Sequence, residues 1–223
     1  MIVGSAIVAV GVAGALIAEW RGSDSLRRVF KPIASAGFLL AALRAPAFEL
    51  PVGTGWLLLA GLAFSALGDA ALLGHGTRAL IGGIGAFSLA HVAYGAWFLA
   101  ASPPWWMLVI AAVALLAVGH LAWLWLSAHV TGALRVPVRG YVALISLMAA
   151  CAVAYGAHML SGGRPANGGD TLQALAPAAG ALLFYASDFA VARNRFVHPG
   201  FINRAWGLPV YYAAQLLIAS AVI

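Results

Sequence analysis

The chain has 223 residues, 64% of them hydrophobic and 8% charged, against roughly 45–50% apolar and ~25% charged in ordinary soluble domains. That balance excludes a soluble globule and a disordered tail. Twelve Lys and Arg against six Asp and Glu leave a net charge of +6, but the basic residues are spread thinly between apolar blocks. No nucleic-acid-binding face is formed, and the surplus reads as a membrane-topology signal.

Apolar blocks of about 20 residues, long enough to cross a bilayer at 1.5 Å rise per residue, follow one another along the chain. They predict spans over residues 2–18, 32–48, 53–73, 79–101, 104–126, 136–160, 171–192 and 206–223. The second is interrupted by Arg44 and Pro46. No Lys or Arg precedes the first block, so it reads as a span and not as a signal peptide. The expectation is an all-α membrane protein, one integral-membrane domain over residues 1–223, built as a bundle of eight transmembrane helices. Glycines such as Gly4, Gly11 and Gly14, or Gly82, Gly83 and Gly85, suit close helix contact in lipid. The single cysteine, Cys151, has no partner for an internal disulfide or a thiolate metal site.

With alternating spans, the connections after spans one, three, five and seven share a side and carry ten basic residues. These are Arg21, Arg27, Arg28, Lys31, Arg78, Arg135, Arg139, Arg193, Arg195 and Arg204. The opposite side holds Arg44 and Arg164. The crowded side is therefore predicted to be cytoplasmic, with the N- and C-termini on the non-cytoplasmic side. Every connection is short, so any chemistry must take place within the bundle.

Two acids stand where acids are costly. An Asp near the bilayer centre costs ~2.5–3.5 kcal/mol on insertion scales and normally faces the bundle interior. Asp69 follows Ser65-Ala-Leu-Gly68, and Asp188 follows Phe184-Tyr-Ala-Ser187. Each lies about one turn from the cytoplasmic end of its span, and the two spans run in the same direction, so the carboxyls share a depth. The alternative is that each acid pairs with an interfacial Arg, Asp188 with Arg193 or Arg195. Two carboxyls in one low-dielectric cleft do not both ionise cheaply, which favours a proton donor beside a base.

Helical spacing supplies partners. Phe87, His91 and Tyr94 fall at i, i+4 and i+7 on one stripe of span four. Tyr211 and Tyr212 precede Gln215 by one turn in span eight. Lys31 opens span two, and Asn194 follows span seven. A faint repeat relates Leu-Gly-Asp69 to Ala-Ser-Asp188 and Lys31-Pro32 to Arg135-Val-Pro137, suggesting two four-helix halves related by an axis along the membrane normal.

The ordered set of these residues resembles the YhhN-like lysoplasmalogenase family of multi-pass membrane hydrolases. The resemblance rests on Lys31-Pro32, on Ser65-Ala-Leu-Gly-Asp69-Ala-Ala-Leu-Leu73 and on Gly83-x3-Phe87-x3-His91-x2-Tyr94. It continues through Phe184-Tyr-Ala-Ser187-Asp188 with Arg193-Asn194, and Tyr211-Tyr212-x2-Gln215-x2-Ile218. It implies an eight-helix bundle and hydrolysis of the vinyl ether bond of a lysoplasmalogen, giving a fatty aldehyde and glycerophospho-ethanolamine or -choline. A vinyl ether is inert to base and cleaved by acid, so the chemistry calls for a protonated carboxyl and a nearby carboxylate, as in glycoside hydrolysis.

Asp69 and Asp188 are the expected catalytic pair, without metal or other cofactor. His91, Tyr94, Tyr212 and Gln215 are expected to position water and the glycerol oxygens, with Ser65, Ser187 and Tyr211 beside them. Lys31 and Asn194 are expected to engage the phosphate at the cytoplasmic surface. The expected partners are a single-chain ether phospholipid and the bilayer, with no nucleic acid, and the expected location is a multi-pass position in the cell membrane.

Three other readings compete. An intramembrane aspartyl protease fits Leu-Gly-Asp69 loosely, but Ala66 stands where that signature has its first Gly, and Ser187 where it has Tyr. A zinc hydrolase of the alkaline-ceramidase type would need three converging histidines, against an intramembrane supply of His91 and His120. A proton-coupled transporter or lipid-binding protein would use paired carboxylates as a relay, but no polar set continues into the outer half.

Overall fold

A computed structural model describes residues 1–43, 54–163 and 170–222. Arg44, Pro46 and Arg164, the end of the second predicted span and the start of the third lie outside the described residues. Among the described residues every regular element is helical. The long helices are α1 (Ile2–Trp20), α2 (Asp24–Leu43), α3 (Gly55–Ala71), α4 (Gly76–Ala100), α5 (Trp105–Ser127), α6 (Arg135–Leu160), α7 (Thr171–Ala192) and α8 (Phe201–Ala219). Short 3₁₀ turns precede α6 and follow α8, and a π-helical turn, Arg193–Val197, extends α7.

Helix boundaries follow the apolar blocks except where a polar start was hidden. The second helix begins at Asp24, eight positions before Pro32, because Ser23 caps it: its Oγ accepts from the Leu26 amide at 3.4 Å. Pro32 therefore sits inside α2 instead of opening it. Likewise α8 starts at Phe201 and takes in Asn203 and Arg204 before the apolar block. At α7 the Asp170 carboxylate accepts from the Gln173 amide at 2.7 Å, satisfying one of the free donors of the first turn. Five helices, α1, α4, α5, α6 and α7, are long and apolar enough to cross a membrane; α3 is equally apolar but shorter. The polar first turns of α2 and α8 keep those two below the same mark.

Helices α1, α2, α3, α4, α6, α7 and α8 pack in that order into a closed ring, α8 returning to α1 and also touching α2 and α3. Helix α5 packs chiefly on α6, and most of its surface faces outward. The expected glycine contacts hold for α1. A Cβ added at Gly4 would lie 2.7 Å from the Ala41 Cβ, and one at Gly11 2.7 Å from the Ala34 Cβ, both on α2. They fail for α4 in part: Gly83 packs on Leu72, but an added Cβ at Gly82 would meet only Ala71, at 3.8 Å, and one at Gly85 nothing within 4 Å. Those two lie on outward-turned stretches of the helix, where a small residue gains no packing.

The turns and adjoining helix ends that carry the ten basic residues meet at one end of the bundle. Arg204 on α8 reaches Glu19 at the end of α1 (3.8 Å), His75 before α4 reaches Asp24 on α2 (3.1 Å), and Arg195 donates to the Gly76 carbonyl (3.4 Å). Leu126, Val130 and Val138, around the connection from α5 to α6, close the same end against Ile84 and Phe196.

Candidate active site

The buried face of α3 carries Ser65, Gly68 and Asp69. On α2, Lys31 and Ser35 stand four positions apart and so share one face. Both reach Asp69: the Lys31 ammonium lies 3.1 Å from Oδ1, and the Ser35 hydroxyl donates to Oδ2 at 2.9 Å. Tyr212 on α8 donates to the same Oδ2 at 3.2 Å. Lys31 is 5% exposed and Asp69 4%. A buried ion pair is tolerable only when extra hydrogen bonds satisfy the remaining lone pairs, and these two hydroxyls do that. Lys31, the one lysine in the chain, is thus engaged inside the bundle and not at its surface.

Asp188 on α7 has a different shell. Its Oδ2 accepts from the Tyr141 hydroxyl of α6 at 2.5 Å. The Tyr141 oxygen lies 3.0 Å from Nε2 of the buried His91 on α4. The chain His91, Tyr141, Asp188 therefore joins three helices. Neither nearby arginine reaches the acid: Arg193 donates to the Asn203 side-chain Oδ1 at 2.6 Å, and Arg195 is turned to the Gly76 carbonyl. A cation accompanies Asp69, whereas a phenol accompanies Asp188.

Behind these two stations runs a third polar set. Tyr94 donates to Gln215 Oε1 at 2.8 Å and lies 3.3 Å from the Ser65 hydroxyl, while Tyr211 donates to the Ser65 carbonyl at 3.5 Å. Glycine makes room for it. A Cβ at Gly61 would strike the Tyr94 ring, and one at Gly68 would lie 2.6 Å from the Phe87 ring, so the small residue before Asp69 is where an aromatic of α4 lies against α3. The His91 Nδ1 and Gln215 Nε2 are buried without a hydrogen-bond partner among the described residues.

One cavity of about 130 Å³ has both Asp69 and Asp188 in its wall. Lys31, Ser187, Tyr141 and Tyr211 also line it, with an otherwise largely apolar surface that includes Phe87 and Phe184. Ser65, His91, Tyr94, Tyr212 and Gln215 stand behind that wall as supports for the groups that do line it. Ser187 donates to the Phe184 carbonyl of its own helix at 2.8 Å. Asn194 shapes the turn into α8, its Oδ1 accepting from the Gly200 amide at 3.0 Å and from Asn203 Nδ2 at 3.4 Å; Asn203, not Asn194, is in the cavity wall.

Three residues of this site escaped the sequence reading. Ser35 lies one turn beyond Lys31, Tyr141 lies on the face of α6 that also buries Val138 and Ile145, and Asn203 lies in the first turn of α8. For Ser35 the available signal was a hydroxyl one turn after Lys31 on the same helix face, and for Tyr141 a lone hydroxyl on an otherwise apolar one.

The pattern of the YhhN family matches residues 26–222, a stretch that contains Lys31, Asp69, Asp188 and Gln215 alike. The chain belongs to the YhhN family. As a member of it, the chain is 31% identical over 184 residues to "Lysoplasmalogenase TMEM86A" of Homo sapiens and 30% identical to the Bos taurus protein of that name, covering 79% of this chain and 72% of each relative. It is 43% identical over 81 residues to "Uncharacterized membrane protein YhhN" of Escherichia coli O6:H1, 36% of this chain and 37% of that one. No solved structure matches it significantly. Family and apolar helices together make it a multi-pass membrane protein.

Proposed function

We propose that this YhhN-family chain is a lysoplasmalogenase-type hydrolase that cleaves the vinyl ether of a single-chain phospholipid by acid catalysis from Asp188 and Asp69. The observation that carries the proposal is the shared cavity: two carboxyls from different helices line one largely apolar hollow, with unlike partners. Asp69, with an ammonium and two hydroxyls on its oxygens, is suited to remain a carboxylate. Asp188, with a phenol and no cation, is suited to carry the proton.

In the proposed reaction Asp188 delivers its proton to the β-carbon of the vinyl ether. The carbon–carbon double bond supplies the electron pair for the new C–H bond, leaving an oxocarbenium ion at the ether carbon. The Asp69 carboxylate stabilises that cation and takes a proton from water as the water oxygen bonds to the ether carbon. The resulting hemiacetal collapses: its hydroxyl proton passes to Asp188, the bond to the glycerol oxygen breaks, and Asp69 returns its proton to that oxygen. Both acids end as they began, and the net change is one water consumed for one aldehyde and one free glycerol hydroxyl. The division of labour matches that of paired carboxylates in glycoside hydrolysis. Tyr141 acts as a positioning residue for the acid, with His91 holding Tyr141 in turn.

We further read the bundle as crossing the membrane eight times with the basic end in the cytoplasm, following the positive-inside rule. The test is a lipid panel. Purified protein incubated with 1-alkenyl, 1-alkyl and 1-acyl lysophospholipids is expected to release aldehyde from the alkenyl lipid alone. Asp188→Asn and Asp69→Asn are expected to abolish release, with elution profile as the control for folding. Proton-coupled flux in liposomes without any covalent product would instead indicate a transporter.

A further inference from the structure

Lys31 was the expected phosphate ligand, yet its ammonium is held by Asp69. The cavity wall nevertheless contains two further cations, Arg195 and Arg204. Among the described residues Arg195 has no carboxylate partner and donates to the Gly76 carbonyl at 3.4 Å, while Arg204 has a single loose ion pair, its Nε lying 3.8 Å from Glu19. Arg27 and Arg195 lie near enough to Arg204 to oppose its charge, Glu19 favours it, and Arg27 is paired with Asp24 at 2.8 Å, so of the three arginines Arg195 is the one without a carboxylate among the described residues. Such a cluster beside an apolar cavity favours an anionic group.

The spacing identifies the anion's place in the ligand. Arg195 follows Asp188 by seven positions, and Arg204 precedes Tyr211 by seven. At 1.5 Å per residue, a little less through the π-helical turn that holds Arg195, each interval is about 10 Å along its helix, so the backbone of both arginines stands about 10 Å closer to the basic end than that of Asp188 and Tyr211. In a 1-alkenyl glycerophospholipid seven bonds separate the β-carbon of the vinyl ether from phosphorus. With bonds of about 1.5 Å in a zigzag chain, that path is about 9 Å extended. The two lengths agree. The only carboxylates among the described residues of the wall are Asp69 and Asp188, and Glu19, which pairs with Arg204, lies outside that wall, so the wall itself presents no anion at this level to a head-group amine.

We propose that Arg195 and Arg204 form the phosphodiester subsite of this cavity, which selects single-chain glycerophospholipids over head-group-free glycerol ethers and treats ethanolamine and choline alike. The assignment deepens the hydrolase reading and rests on it for the substrate class, but it is tested by binding alone. The probes are 1-alkyl lysophosphatidylethanolamine, 1-alkyl lysophosphatidylcholine and 1-alkylglycerol of equal chain length. Their saturated ethers are not cleaved by protonation of carbon. Affinities are measured on the full chain in nanodiscs by competition with a fluorescent lysolipid.

The two phospholipids are expected to bind within about two-fold of each other and at least about 10-fold more tightly than the alkylglycerol. In the Arg195→Gln/Arg204→Gln variant that preference is expected to vanish while alkylglycerol affinity, the control for a folded cavity, is unchanged. Arg195→Lys/Arg204→Lys, which retains both charges, is expected to keep part of it. Equal binding of alkylglycerol and phospholipid by the unaltered chain, or a preference that survives in the double Gln variant, overturns the subsite. Full displacement of the phospholipids by millimolar inorganic phosphate would make it a free-phosphate site and overturn the lipid assignment. A phosphate preference that depends on both arginines, found alongside no aldehyde from alkenyl lipid, upholds the subsite and sinks the hydrolase reading alone.

Discussion

Lys31→Met removes the cation from Asp69 in a place that water scarcely reaches. Both side chains of the pair are 6% exposed, and the ammonium lies 3.1 Å from Oδ1. Breaking a buried pair from one side leaves an uncompensated charge and costs about 3–5 kcal/mol. The Ser35 and Tyr212 hydroxyls remain as donors, which places the expected loss at the lower end, about 3 kcal/mol. Asp69→Asn strands Lys31 and should cost a similar amount. The double variant Lys31→Met/Asp69→Asn removes both charges, while the Asn amide oxygen still accepts from Ser35 and Tyr212. It is expected to unfold within about 2 kcal/mol of the unaltered chain, giving a coupling energy of at least about 4 kcal/mol across the cycle. Equilibrium unfolding in mixed micelles with increasing dodecyl sulfate, followed by fluorescence of the eight tryptophans, measures it. All three variants are expected to release no aldehyde. Single losses that add, with coupling under about 1 kcal/mol, would mean that the pair is solvated, and the basis for keeping Asp69 a carboxylate would be gone.

Tyr141→Phe deletes the one side-chain donor that Asp188 has among the described residues, without removing the ring that packs near His91 at 5.2 Å. As Asp188 gives up its proton the Tyr141 hydroxyl comes to donate to a carboxylate, and a hydrogen bond to a charged group is worth about 1.5–3 kcal/mol, so its loss should lower kcat about 10–100-fold with KM little changed; unaltered kcat in steady-state kinetics would remove Tyr141 from the site. Gly61→Ala drives a methyl into the Tyr94 ring, which is fully buried between Ser65 and Gln215. Overpacking of this kind costs about 1–3 kcal/mol, to be read as a lowered Tm in detergent; an unchanged Tm would show that α4 yields freely. A C-terminal epitope should be accessible to antibody on intact spheroplasts, and labelling only after permeabilisation would reverse the topology.

The two acids were legible because an ionised group in an apolar block has no bland explanation in the sequence. The limits of α7 were legible for a related reason: residues 171–192 form an uncharged run but for Asp188, and the helix spans Thr171–Ala192. What escaped notice depends on contacts between helices. Tyr141 has no polar companion on its own helix, since its partners Asp188 and His91 come from α7 and α4, and helical periodicity carries no information about which faces meet. In the sequence Lys31 resembles a surface cation because Pro32 reads as a helix start; with α2 beginning at Asp24, Lys31 lies two turns inward, where it meets Asp69. Arg195 and Arg204 were counted for their charge alone, because their place in the cavity wall depends on how the α7–α8 turn folds around Asn194 and Asn203. Gly82 and Gly85 erred the other way: small residues at helical spacing imitate a packing face even where none exists.

Protonation of carbon leaves a permanent mark, which gives the central claim its most direct measurement. Hydrolysis of a 1-alkenyl lysophospholipid in D₂O, with the aldehyde trapped at once as a hydrazone and analysed by mass spectrometry, should yield one deuterium on the carbon next to the carbonyl carbon. Asp188→Asn should yield no aldehyde above the uncatalysed background. Aldehyde without that deuterium, or full turnover by the Asp188→Asn protein, would contradict acid catalysis by the aspartate pair.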